Sequence, residues 1–204
     1  MLTKALVLLG SPRPRGSSES LARHFMAGAE EGGLPGETIC LREKRTLPCT
    51  HCGVCERTPH ACALAAEDDA EAVLRALEGA SLLLVAAPIH FYALPGQLKC
   101  LIDRAQSRWA RPQDEAARAA VRPTLALLTA GRPRGERLFA GSELCLSYFA
   151  QALGRQLTEC RGLRGIESPA DISLEQAAAM RDWGRQWAAR LTVAPSLPGP
   201  PGAP

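Results

Sequence analysis

The chain has 204 residues, a length that suits one α/β domain with a single core. Its net charge of +3, from 24 basic and 21 acidic residues dispersed among one another, argues against nucleic acid or an anionic membrane surface as a partner. Aromatic residues make up only 4% while Ala and Leu dominate, which favours helices packed on a sheet over a β-sandwich.

The first apolar run, over 4–10, is short and ends at Gly10-Ser11-Pro12-Arg13. It reads as a buried strand and not as a signal peptide, which needs a longer apolar region and a small-residue cleavage site. No stretch approaches the ~18 apolar residues of a membrane span, so a cytoplasmic location is expected. Leu21, Phe25 and Gly28 then step by four and three, as one face of a helix does. A second strand is predicted over 37–41, followed by a long irregular insertion over 42–67. Loops of that length are usually functional or disordered. Ala70, Val73, Leu74 and Leu77 mark the next helix, and 81–87 the third strand.

Pro95 falls at an expected first helical position, ahead of the stripe Leu98, Leu101, Ile102 and Ala105. The fourth strand is predicted over 123–130, a helix with Leu146, Phe149, Ala150 and Leu153 inward, and a weak, edge-like fifth strand over 155–160. The first, third and fourth runs are continuously apolar, as strands covered on both faces should be. Ser173 and Gln176 form a capping box for a last helix whose stripe is Met180, Trp183, Trp187 and Leu191. Strand–helix alternation repeated five times predicts a five-stranded parallel sheet in a three-layer α/β/α sandwich over residues 1–192. The Pro/Gly-rich stretch 193–204 is expected to be disordered.

The first strand opens into Gly10-Ser11-Pro12-Arg13-Pro14-Arg15-Gly16-Ser17-Ser18-Glu19-Ser20, then a helix. A helix amino terminus offers unpaired N–H groups to an anion, and Ser and Arg side chains add donors and charge. The Lys of a Walker loop and the Gly-x-Gly-x-x-Gly of a dinucleotide loop are both missing, which points to a terminal phosphate. An ordinary polar turn is the alternative. In a doubly wound sheet of order 2-1-3-4-5, strands one and three are neighbours at the point where the winding reverses. The loop after strand three, Pro88-Ile89-His90-Phe91-Tyr92, would face the same crevice and offer an aromatic surface to a flat ring. Packing against the following helix is the alternative for either aromatic side chain.

Gly-Ser-Pro-Arg-x-x-Gly-Ser-Ser over 10–18, with Pro-Ile-x-Phe, Pro-Gly-Gln-Leu-Lys and Ile-Asp-Arg further on, resembles the NAD(P)H-dependent FMN reductases of the flavodoxin-like superfamily. The resemblance covers roughly residues 4–190. It implies that Ser11, Arg13, Ser17 and Ser18 hold the FMN phosphate. It further implies that Pro88, Ile89, His90, Phe91 and Tyr92 wrap the isoalloxazine and that Thr129, Ala130 and Gly131 border its other side. It implies NAD(P)H as a reductant, a small-molecule or protein electron donor or acceptor, a homodimer or homotetramer, and no dedicated catalytic side chain. His90 stands where the family often carries Tyr, and the run Arg132 to Arg137 is more basic than usual.

Cys49, Cys52, Cys55 and Cys62 fall within fourteen residues as C-x2-C-x2-C-x6-C. Three thiolates at two-residue gaps can wrap one face of a cubane cluster and a fourth can close it. The motif is similar to that of iron–sulfur flavoproteins, which implies a [4Fe–4S] cluster near the flavin. Zinc, held by four of Cys49, His51, Cys52, Cys55, His60 and Cys62, is one alternative, and idle reduced thiols are another. Cys40, Cys100, Cys145 and Cys160 are scattered and read as small core residues. The expected function is thus an FMN-dependent oxidoreductase or electron-transfer flavoprotein carrying a cluster. The alternatives are an NAD(P)H-dependent FMN or quinone reductase without one, and a non-catalytic carrier.

Overall fold

The structure, a computed structural model, describes residues 3–111 and 122–193. In chain order the elements are β1 (Ala5–Leu9), α1 (Ser17–Glu31), β2 (Gly36–Cys40), α2 (Ala70–Gly79), β3 (Leu82–Pro88), α3 (Gly96–Arg104), the short α4 (Gln106–Trp109), β4 (Arg122–Ala130), α5 (Ala140–Ala152), β5 (Arg155–Arg164) and α6 (Leu174–Val193). Single 3-10 turns lie at Leu41–Glu43, Val54–Glu56 and Pro169–Asp171. All strand pairs are parallel, in the order β2-β1-β3-β4-β5. This is the doubly wound, flavodoxin-like architecture expected from the sequence. Of the stretch 193–204 expected to be disordered, Val193 still ends α6, and 194–204 lies outside the described residues.

The strand residues alternate between two cores. Ala5, Val7, Leu9, Leu82, Leu84, Leu125 and Leu127 pack beneath α1 and α6, on Leu21, Phe25, Trp183 and Trp187. Leu6, Leu8, Leu83, Val85, Ala126 and Leu128 pack beneath α2, α3 and α5, on Leu74, Leu77, Leu98, Leu101, Leu146 and Phe149. The helical stripes are those read from the periodicity. The capping box forms as expected: Gln176 N–H donates to Ser173 Oγ (3.1 Å), and Ser173 N–H to Gln176 Oε1 (2.9 Å).

The ends of β1 to β4 shift by one residue from the sequence reading, and two other boundaries differ as well. Pro95 is the N-cap of α3 and not its first helical residue, its carbonyl accepting from Lys99 N–H at 3.0 Å. β5 runs on to Arg164, beyond the predicted end at residue 160. Thr124 pairs with Leu157 but Leu125 pairs with Glu159, so Thr158 is an extra residue and the alternation inverts there. Leu157 and Cys160 consequently face the α2/α3/α5 core, while Leu163 faces the other. Glu159 accepts from the indole N–H groups of Trp183 (2.8 Å) and Trp187 (3.0 Å). Among the described residues no helix is long and apolar enough to cross a membrane.

α1 and α6 touch backbone to backbone. A Cβ on Gly28 would overlap the Arg181 carbonyl oxygen, and one on Gly184 the Phe25 carbonyl oxygen. Gly→Ala in a helix ordinarily gains about 1 kcal/mol. Here overpacking reverses the sign, and Gly28→Ala is expected to cost roughly 1–3 kcal/mol, read as a lower urea midpoint at unchanged m value.

Candidate functional site

Because the sheet is parallel, the loops that follow β1, β3 and β4 leave one edge side by side. Leu9 is paired with Ala86, and Gly10 N–H continues the ladder onto the Ala86 carbonyl (2.8 Å). Ile89 N–H donates to the Thr129 carbonyl (2.8 Å), which ties the third loop to the fourth. The residues read from sequence at 10–18, 88–92 and 129–131 thus follow neighbouring strands at one edge of the sheet. Gly10 has no room for a side chain, since a Cβ would meet Leu98 Cδ2 at 2.7 Å.

In the first loop, Arg13 N–H donates to Ser11 Oγ (3.1 Å), and the same hydroxyl reaches the Arg13 carbonyl (3.1 Å). Ser11 therefore shapes the turn. Arg15 takes a left-handed φ of 52° and its N–H donates to Glu19 Oε2 (2.9 Å). Arg42 Nη1 binds the same oxygen at 3.1 Å, so the first-turn acid of α1 is neutralised by the segment after β2. Gly16 is the N-cap of α1, with no side chain capping the helix. Ser17 and Ser18 are buried in that first turn while Arg13 is exposed. A helix start with buried hydroxyls and uncapped N–H groups is a ready anion site.

The third loop is a tight antiparallel turn. His90 N–H donates to the Ala93 carbonyl and Ala93 N–H returns the bond to the His90 carbonyl, both at 2.9 Å. Phe91 (φ 49°) and Tyr92 (φ 62°) occupy its two centre positions, both left-handed. Such turns favour Asn or Gly there, and a non-Gly left-handed residue costs of order 1–3 kcal/mol. Phe91 is fully exposed, at 103% of its reference area. The Tyr92 hydroxyl accepts from Arg132 Nη1 (3.0 Å), with the guanidinium 5.8 Å from the ring centroid. The basic run after β4 thus supports the aromatic turn.

The insertion leaves β2 at this same edge but descends the α3 face. Its two ends are fastened together: Arg45 N–H donates to Asp69 Oδ2 (2.8 Å), and Leu47 N–H to Asp68 Oδ2 (2.6 Å). Gln97 Nε2 donates to the Leu41 and Lys44 carbonyls. Cys49, Cys52, Cys55 and Cys62 line one cavity of about 340 Å³, closed by Asp103, Arg104, Gln106 and Ser107. Arg104 ends α3, eight residues and about 12 Å along the helix from its start at Gly96. Gly53 (φ 71°), His51 (φ 54°) and His60 (φ 60°) bend the loop, and His60 Nδ1 lies 3.1 Å from the Cys55 carbonyl. Burial, reinforced by the neighbouring Cys62, Cys49 and Cys52 thiols, pushes the Cys55 thiol up. Among the described residues no three His, Cys, Asp or Glu groups converge as a single-ion site.

Arg104 has a role the sequence did not disclose. Its guanidinium donates from Nη1 to Asp68 Oδ2 (2.6 Å) and the Leu47 carbonyl (3.2 Å), and from Nε to Cys62 Sγ (3.2 Å). Burial works to raise the Asp68 carboxyl, but the Leu47 N–H, Arg104 and the Ala70 N–H outweigh it and hold it below the ordinary range. The Ile-Asp-Arg motif drew attention to Arg104 without assigning it a contact, and nothing in the sequence singled out Asp68. The scattered cysteines were expected in the core but are half-buried: Cys145 and Cys160 pack at the margin of one core and Cys40 at that of the other, while Cys100 joins neither. All are free thiols; burial pushes Cys40 and Cys145 up, and Cys160 to about 12, which makes them poor nucleophiles.

A family model described as NADPH-dependent FMN reductase matches residues 3–140. An iron–sulfur flavoprotein of Methanocaldococcus jannaschii is 31% identical over 103 residues, 50% of this chain and 52% of the relative. The match thus spans about half the length of that curated relative. The solved NAD(P)H:quinone oxidoreductase of Methanothermobacter marburgensis superposes with a TM-score of 0.66 at 16% identity, covering 93% of this chain and 96% of that one. An FMN-dependent NADH-azoreductase of Bacillus anthracis, solved with FMN, gives 0.63 at 14% identity, covering 93% and 99%. At such identities the structural likeness establishes the fold.

The strained turn makes a prediction independent of any ligand. Phe91→Asn places a residue tolerant of left-handed backbone at an exposed position, and should raise stability by up to about 1 kcal/mol, read as a higher thermal midpoint of the ligand-free protein.

Proposed function

Since the chain belongs to the NADPH-dependent FMN reductase family, we propose that it is an FMN-dependent oxidoreductase that works at the crevice between the β1 and β3 loops. One observation carries this reading: the uncapped start of α1, with Ser17 and Ser18 buried in it, opens beside the aromatic turn at the point where the sheet winding reverses. The Ser17 and Ser18 hydroxyls and the N–H groups of the first turn would hold the phosphate, with Arg13 supplying charge and Ser11 fixing the loop. Pro88 to Tyr92 would cover one side of the ring, and Thr129, Ala130 and Gly131 the other. FMN supplies a carrier that accepts a hydride from NAD(P)H and releases electrons singly or in pairs. The chain needs only to position the ring, exclude water and admit the donor, so no acid–base side chain is assigned.

The four-Cys loop fits a [4Fe–4S] cluster better than a single ion. All four thiols line one cavity, the two-residue gaps between the first three suit one face of a cubane, and the relatives named as iron–sulfur flavoproteins point the same way. One observation favours the reading without a cluster: Arg104, Asp68 and Gln97 anchor the loop with the protein's own hydrogen bonds.

FMN should bind well and riboflavin much more weakly in calorimetric titration. Joint replacement of Ser17 and Ser18 by Ala should weaken FMN by about 1–3 kcal/mol. Equal affinity for the two flavins would remove the phosphate assignment. Turnover of NAD(P)H with a small acceptor separates an enzyme from a passive carrier.

Anaerobic reconstitution should give about four irons and four sulfides per chain, the stoichiometry of a cubane. Cys52→Ala should lower that content while FMN stays bound. Stoichiometric zinc without iron would replace the cluster reading, and thiols without metal would leave a plain flavin reductase.

A further inference from the structure

We propose that Arg104 is the positioning residue of the Cys-rich site, clamping both ends of the Cys49–Cys62 segment and placing a hydrogen bond on the sulfur of Cys62 that favours the reduced cluster. This inference rests on the cluster reading given above.

The geometry is specific. The Arg104 side chain is 1% exposed and that of Asp68 0%. Asp68 Oδ2 accepts from both Arg104 Nη1 and Leu47 N–H, while Oδ1 accepts from Ala70 N–H. Nη1 reaches the Leu47 carbonyl, two residues before Cys49, and Nε reaches Cys62 Sγ at 3.2 Å. One guanidinium therefore joins the beginning of the motif to its last thiol.

A buried ion pair is weak evidence of a stability role, because an apolar pair of similar volume often does as well. The same stretch of chain supplies an internal comparison. Arg108 is as buried as Arg104, but it meets Glu71 and Glu78 and no sulfur. Arg104 has a single carboxylate and spends its remaining Nε–H on a thiol. Donors to ligand sulfurs stabilise the added negative charge of a reduced cluster and raise its potential. A lysine keeps the charge and can reach Asp68, but lacks the planar fork that serves two partners at once.

The test uses the full chain reconstituted anaerobically, with iron and sulfide counted and the cluster titrated with dithionite under EPR observation. In each reduction the cluster takes one electron from dithionite and no bond to the protein forms or breaks. Arg104→Lys should keep its iron and lower the reduced-to-oxidised ratio at fixed potential by roughly tenfold, which is about 59 mV for a one-electron couple. Arg108→Lys should leave iron content and potential unchanged. Should Arg104→Lys fail to fold, the pair Arg104→Met with Asp68→Asn removes the charge together with its partner while retaining an acceptor for Leu47 N–H, and the potential should again fall. Wild-type protein that takes up no cluster overturns the reading and this inference together. A loaded wild type whose Arg104 variants titrate like the Arg108 variant overturns the inference alone.

Discussion

Leu9 lies opposite Ala86, and the chain leaves the two paired strands in opposite directions: β1 to α1 on one face of the sheet, β3 to α3 on the other. A crevice between the loops is the geometric result of that divergence. At its base Gly10, with no side chain, lets the first loop lie against Leu98 of α3. The strands below are rigid because β1 and β3 are buried on both faces, with residues 5–9 and 82–87 all inside. What varies at the crevice is the loop chemistry: hydroxyls and N–H groups on one wall, a left-handed aromatic turn on the other.

Buried cations organise the periphery of this frame in two different ways. Arg104 and Arg108 are neutralised by carboxylates, and removing one partner of such a pair typically costs about 3–5 kcal/mol, so α3 and α4 hold the Cys-rich loop and α2 in fixed places. Arg155, at the start of β5, meets no carboxylate among the described residues. It donates to the Leu77, Ala80 and Pro123 carbonyls and to Thr124 Oγ1. Burial brings it down to about 10, still above neutrality, so it remains a cation at the carboxyl end of α2, where the helix dipole favours positive charge.

Sheet and helices were legible in the sequence because a parallel sheet covered on both faces leaves continuous apolar runs, and each covering helix leaves a stripe. β5 read short for a physical reason. The bulge at Thr158 inverts the alternation halfway, and beyond it Glu159 and Arg161 carry polar groups onto Trp183, which resembles a solvent face. The phosphate-loop serines were legible from residue type and place. The left-handed turn at Phe91 and Tyr92 was not, because aromatic residues do not announce that backbone state. Arg104 and Asp68 were hidden by their separation along the chain and by the ordinary expectation that charges on a helix face water. The insertion was legible as a long loop. Its polar ties to α3 and to residues 68–69 were not, because the partners lie 21 to 56 residues apart in the chain.

The extra residue in β5 also governs what this protein can join. An open sheet has two edges, and each is a row of unpaired backbone groups that another chain's strand could extend. Thr158 breaks the repeat along one edge, so an added strand would lose register midway. The other edge, β2, is only five residues long and carries at its beginning Glu37, paired with Lys4 ahead of β1. Continuous sheets running from one molecule to the next are therefore disfavoured at both ends.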